Sequence, residues 1–249
     1  MSGHSKWSSI KRKKGATDQK RASMYSKLLR AIEVAAREGG GNVEGNMTLA
    51  SAVEKARDFS VPNDNIDRAI KRGSGALEGA RYEEVTYEGY GPGGVALLVE
   101  ALTDNRNRTG QEIKHAFTRL NGNLGASGST AWMFTRKGVI LVDKDGAPEE
   151  DRMLEIALDA GADDLSGGDS SWEITTDPGA FRSVRSSLSD AGVEPSSAEL
   201  TMVPNSTVLV EGSQARSLLG LIEALEDLDD VQDVYGNFDI PEEVLAEVG

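Results

Sequence analysis

The 249 residues carry 27 basic and 41 acidic side chains, a formal net charge of −14, with two histidines and no cysteine. That length fits two or three small cores, and the lack of cysteine removes disulfides, thiolate nucleophiles and thiolate metal sites. With only His4 and His115 to supply imidazole, a zinc enzyme is not expected and no cofactor is implied. No apolar run approaches the roughly 18 to 20 residues that cross a bilayer, and MSGHSKW leads into charge rather than an export signal. The expectation is a cytoplasmic protein with no membrane partner.

A uniform charge of −14 would repel a phosphate backbone, but the charge is not uniform. Residues 1–30 hold nine basic groups against one acid, Asp18; residues 1–80 net +6, and residues 81–249 net −20. A basic front on an acidic body can grip a polyanion at one end and stay soluble at the other.

The densest cation run is Lys11, Arg12, Lys13 and Lys14, flanked by Lys6, Lys20 and Arg21. Together they could neutralise several phosphates and release counterions; the plain alternative is a solvated tail. Trp7 could stack on an unpaired base or anchor the arm to the domain behind it. His4 could touch phosphate or RNA, although a lone histidine says little.

Thr17 and Asp18 offer an N-cap, and Tyr25, Leu28, Leu29, Ile32 and Ala36 recur at helical spacing until Gly39–Gly41 end the run. Lys27 and Arg30 lie off that stripe, so the helix is expected to turn them outward, where they would extend the basic surface. A second helix carries Leu49, Val53 and Ala56. A third follows Pro62 with Ile66, Ala69 and Ile70 and closes at Gly73.

From Tyr82 the pattern changes. YEEVTYEGY and GVALLVEAL read as strands, the second a nearly continuous apolar run suited to a buried position. GYGPGG between them lacks the Lys-Ser/Thr of a phosphate loop and precedes a strand, so a tight turn is expected. Thr109 and Glu112 have capping-box spacing ahead of the helical pattern Ile113, Ala116, Phe117 and Leu120. A strand at 131–135 should pair back. In the loop before that helix, Arg106 and Arg108 could fork to phosphate and Asn105 and Asn107 could read base edges. Alternatively, the asparagines satisfy backbone groups and Asp104 pairs with an arginine.

Residues 138–204 spell strand, helix, two strands, helix, strand, the order of a ferredoxin-like unit. TVLVEG, a helix through Leu218, Leu219, Ile222 and Leu225, and VQDVYGNF then complete the sheet opened at residue 82. The fold class expected is α+β: a three-helix domain (1–80), a discontinuous α/β domain (81–135 plus 205–240), and a ferredoxin-like domain (136–204) inserted into it. The acidic run Glu223, Glu226, Asp227, Asp229 and Asp230 reads as a solvated helix end, or as a contact for a cation or basic protein.

Several segments resemble the YebC/PmpR family: GHSKWSSIKRKKGATDQKR, then SVPNDNIDRAIKRG, then YEGYGPGGVALLVEALTDNRNRT with HAF, GNLG and FTRKGVI, in order over residues 2–140. One departure is GGGNVEGNMTLA, with Val43 and Met47 where the family commonly has prolines. The resemblance implies three domains, a bacterial cytoplasmic location and a nucleic-acid role. That role is described either as DNA-binding transcriptional regulation or as ribosome-associated translation easing proline-rich stretches. The mitochondrial relatives activate translation of a cytochrome oxidase subunit.

No Ser/His/acid set or metal cluster can be nominated, so no enzymatic activity is expected. The implied partner is nucleic acid, either ribosomal RNA and tRNA on the ribosome or DNA. A DNA regulator would present residues 63–72, with Asn63, Asn65, Arg68, Lys71 and Arg72, as a recognition helix. A third reading is an acidic protein-protein adaptor.

Overall fold

The computed structural model describes residues 18–241 apart from 79 and 169, with side chains described from residue 21 onward. Three helices come first: α1 (Asp18–Gly39), α2 (Met47–Asp58) and α3 (Asn63–Gly73). Leu28, Ile32, Ala35 and Ala36 of α1 close on Leu49, Val53 and Ala56 of α2 and on Ile66 and Ala69 of α3. The Asn46 side chain caps α2 by accepting from Leu49 N at 3.1 Å, and its amide reaches the Ala35 and Gly40 carbonyls. Met47 is the first residue of α2, a position where proline's fixed φ and missing N–H are tolerated, which accounts for either residue there.

Two antiparallel sheets follow. The first has β1 (Glu83–Tyr90) and β2 (Ala96–Thr103) at its heart, edged by β3 (Asn123–Leu124) beside β1 and by β9 (Val231–Gly236) beside β2. Pro92–Gly94 makes the turn between β1 and β2, with Gly93 and Gly94 at φ 80° and 75°, a region that glycine enters without a Cβ clash. Helices α4 (Arg106–Arg119) and α7 (Gly212–Glu226) cover one face through Ile113, Phe117, Leu218, Leu221 and Ile222 against Leu97 and Val99.

Between β3 and β9 the chain builds the second sheet from β4 (Phe134–Asp143), β5 (Asp164–Gly167), β6 (Ser171–Thr176) and β7 (Ser197–Pro204), in the order β5-β6-β4-β7. Its helices α5 (Glu150–Asp159) and α6 (Phe181–Asp190) bury Met153, Ala157, Val184 and Leu188 on Ile140 and Ile174. This is the ferredoxin-like arrangement, nested within the first sheet because β9 returns to β2 after it.

Three local expectations are corrected. Ala131–Met133 is a 3-10 turn rather than a strand, and β3 takes the place beside β1. TVLVEG contributes β8 (Val208–Leu209), which pairs in parallel with β10 (Phe238–Asp239) outside the main sheet. The buried Asn237 diverts the chain there: its side chain accepts from Ala96 N at 2.7 Å and its carbonyl from Val208 N at 2.7 Å. Finally, Asn105 rather than Thr109 caps α4, accepting from Arg108 N at 3.1 Å.

Candidate nucleic-acid interface

Strand β2 ends at Thr103, and the chain turns into α4 around one buried carboxylate from the far end of the sequence. Asp230 is 3% exposed. Its Oδ2 accepts from Thr109 Oγ1 at 2.6 Å, Arg108 at 2.6 Å and Thr103 Oγ1 at 3.0 Å, while Oδ1 accepts from Arg30 at 2.8 Å. Burial alone would raise this carboxyl's pKa. The bonds from Thr109, Arg108 and Thr103 and the Arg108 charge outweigh it, and Asp230 is held below its ordinary value. It is therefore an anion at neutral pH.

The loop 103–109 divides by side chain. Arg108 is spent on Asp230 and on Asp104 at 3.0 Å, and Asn105 is the helix cap. Arg106, 63% exposed, lies 3.8 Å from the equally open Glu83. Asn107 faces solvent. Of the four residues singled out in this loop, Arg106 and Asn107 can meet a ligand without breaking a structural bond.

The cations of α1 are corrected more sharply. Lys27 is buried, its amine donating to the Glu226 carbonyl in the last turn of α7. Arg30 donates to the Leu102 carbonyl at 2.8 Å and the Asp229 carbonyl at 3.0 Å besides Asp230, and its guanidinium lies 4.7 Å over the Tyr82 ring. The last carbonyls of a helix lack intrahelical partners and carry the negative end of its dipole. Lys27 meets that need at Glu226, and Arg30, one turn on, holds the Leu102 and Asp229 carbonyls and Asp230, so the pair braces the helical domain on the body instead of facing outward. The acidic run of α7 is accordingly a docking point and not a wholly solvated end.

Arg21 is exposed at the start of α1. His4, Lys6, Trp7, Lys11, Arg12, Lys13 and Lys14 lie outside the described residues, as does the Lys20 side chain. On α3, Arg72 pairs with the buried Glu33 and Arg68 turns back to the Asp64 carbonyl at 3.3 Å. Asp64 and Asp67 share the exposed face with Arg68 and Lys71, a mixed surface for a recognition helix.

The outer face of α4 exposes Gln111, Glu112, Lys114, His115, Thr118 and Arg119, none of them nominated above as a contact. The signal was present: these residues fall between the apolar positions Ile113, Ala116 and Phe117. Among the described residues no three His, Cys, Asp or Glu side chains gather as metal ligands, and no helix is long and apolar enough to cross a membrane.

Comparison with known proteins completes the picture. The model for the N-terminal domain of TACO1/YebC proteins matches residues 5–76, and that for their second and third domains matches residues 82–238. The chain belongs to the TACO1/YebC family. A probable transcriptional regulatory protein of Rubrobacter xylanophilus is 57% identical, covering 100% of this chain and 99% of its own. Another of the same description, from Geotalea uraniireducens, is 52% identical over 98% of both chains. The crystal structure of a conserved hypothetical protein from Aquifex aeolicus superposes with a TM-score of 0.81 at 47% identity, covering 92% of this chain and 94% of that one. The second family model spans both sheets as one stretch.

Proposed function

We propose that this TACO1/YebC protein is a nucleic-acid-binding regulator of gene expression that acts by position rather than by catalysis. More specifically, it is a ribosome-associated translation factor that eases synthesis of proline-rich stretches. The observation that carries this reading is the segregation of charge: besides the bracing Lys27 and Arg30, residues 1–30 hold seven cations and one acid, against a body of net charge −20 from residue 81. Lys11 to Lys14, with Lys6, Trp7, Lys20 and Arg21, supply the polyanion contact, and Arg106 and Asn107 add a second point on the body. Lys27 and Arg30 set the angle between the two by holding α1 against α7 and β2.

Proline fixes φ and restricts the residue before it, so some peptidyl-transfer geometries are poor. A protein seated on structured RNA can favour the reactive arrangement without donating a catalytic group. The mixed charge of α3 supports this over a recognition helix in the DNA major groove. The transcriptional reading keeps one support, the description of the curated relatives as probable transcriptional regulatory proteins.

The deciding experiment is cosedimentation with ribosomes across a salt series, comparing the intact protein with a variant carrying alanine at Lys11, Arg12, Lys13 and Lys14, with duplex DNA as competitor. The expected result is saturable binding that survives DNA competition and weakens in the variant. Binding that DNA removes would favour the transcriptional reading, and binding indifferent to the four alanines would favour an adaptor. A proline-run reporter that stalls equally with and without the protein would remove the translation role.

A further inference from the structure

The largest exposed aromatic surface on the described molecule is Trp132, 71% exposed at the junction of the two sheets. A single exposed apolar side chain is ordinary on a protein surface, and what sets this one apart is how it is held. Its pose is fixed from several sides. The indole Nε1 donates to the Ser129 carbonyl at 3.2 Å, the Trp132 carbonyl accepts from Asn205 Nδ2 at 3.2 Å, and Met133 N closes the turn on Thr130 O at 2.9 Å. Tyr90, 36% exposed, donates its hydroxyl to the same Ser129 carbonyl at 3.0 Å, so the two rings flank one backbone oxygen.

Beneath them lies Glu88, 5% exposed, on the same face of β1 as Tyr90. Its carboxylate accepts from the backbone N–H of Gly128 at 2.6 Å, Thr130 at 2.6 Å and Ala131 at 2.7 Å. Burial pushes this carboxyl up, but those N–H bonds prevail and hold it below its ordinary value. A buried anion thus rigidifies the loop that carries the rings, its charge stabilised by the N–H donors around it.

The character of the rim is the second observation. The charge around it is mixed, since Lys137 pairs with Asp163 at 2.7 Å and Glu88 lies under the loop, so it is the polar rim and not a basic field that the rings offer. Thr135, which donates to Asn205 at 2.7 Å, and Asn205 itself, on the Trp132 carbonyl, put neutral hydrogen-bonding side chains beside the turn. The indole N–H is already satisfied, which leaves the π-face as the part of Trp132 open to a ligand. A rigid π-face with a polar, uncharged rim fits a nucleobase better than an aliphatic side chain.

We propose that Trp132, with Tyr90 beside it, is a stacking platform for an unpaired base of RNA, a contact on the body separate from the basic arm. This rests on the nucleic-acid reading above and adds to it a site and a substrate form: single-stranded rather than duplex. Stacking on one aromatic is sequence-tolerant, so the platform gives affinity for an exposed base whatever its identity.

The test is binding of a fluorescently labelled, unstructured 12-nucleotide RNA and of the corresponding duplex RNA to the full-length protein, to W132A, to W132F and to the variant with alanines at 11–14. W132A is expected to weaken the single strand about five- to hundredfold, the range for losing one base stack, and to leave the duplex unchanged. W132F keeps a stacking ring and drops the indole N–H, so it is expected to stay within a few-fold of wild type. Unchanged single-strand affinity in W132A overturns the platform and leaves the ring as a contact for a protein partner. If that occurs while the arm variant loses binding, the regulator reading stands without the platform. If wild type binds neither RNA, the platform falls, while the regulator reading stands or falls on the ribosome cosedimentation.

Discussion

The two basic helices of this protein, α1 and α4, spend their cations in opposite ways. On α1, Lys27 and Arg30 turn inward to the carbonyls and carboxylate at the end of α7. On α4, Arg108 alone turns inward, to the same carboxylate, and Lys114 and Arg119 are left on the solvent face. The difference is not in the residues but in what lies one turn away. Cations next to a helix C-terminus and a buried acid become structural, whereas cations over an apolar face already covered by α7 remain available. Counting charge along the sequence cannot tell these apart.

The largest effect is expected where the two sets meet. Removing Asp230 leaves Arg30 and Arg108 without their shared anion and takes the carboxylate acceptor from two buried hydroxyls, so D230A should lose about 3–5 kcal/mol of stability, the range for breaking a buried pair from one side. Urea unfolding measures this, and a loss under about 1 kcal/mol would show that Asp230 is not the junction's centre. The same group gives a pH signature. Because its folded pKa is lowered, its contribution is complete above the unfolded value of about 3.9 and disappears as pH falls through the folded value. Wild type should therefore lose stability below about pH 4 more steeply than D230A, and parallel acid-unfolding curves would contradict this.

Next in size is R30A, which deletes three hydrogen bonds to one guanidinium but leaves Arg108 on Asp230. About 1.5–3 kcal/mol should be lost, the scale of charge-assisted bonds. The sharper expectation concerns function: if Arg30 is a brace and not a phosphate contact, the salt dependence of nucleic-acid binding should keep its slope. A slope reduced by about 0.7 or more, the value of one phosphate on a single strand, would return Arg30 to the binding surface.

How much of this was legible follows from the same contrast. Periodicity located the three-helix domain, since Leu28, Ile32, Leu49, Val53 and Ile66 form one buried cluster at the spacings the sequence displays. Element order sufficed for the nested sheet, because few topologies accommodate a ferredoxin-like unit between β3 and β9. Features set by long-range partners were invisible. Asp230 sits in an acidic run that reads as solvated, and its three arginine and threonine partners on α4 and β2 are more than 120 residues away. Thr109 was assigned to a cap by local spacing, but the carboxylate claimed it. Trp132 lies in a glycine- and serine-rich stretch with no period, so nothing local distinguishes an exposed ring from a core one. Lys114 and Arg119 are legible, since they fall between the buried positions Ile113, Ala116 and Phe117 and the period alone turns them outward.

The smallest change in stability, and the one that bears most on the comparison, is expected for K114A/R119A. Both side chains lie on the open face of α4, and surface substitutions away from caps and buried networks usually move stability by no more than about 0.5 kcal/mol. Alanine is also the best helix former, so the helix itself should not suffer. If this face meets RNA, the two cations account for about two phosphates, and the slope of log K against log salt should fall by roughly 1.4 for a single strand. R30A and K114A/R119A then form a crossed pair: one costs stability and spares the slope, the other spares stability and costs slope. Two variants that shift both quantities together would mean that α1 and α4 act as one continuous surface, and the division between bracing and binding cations would have to be abandoned.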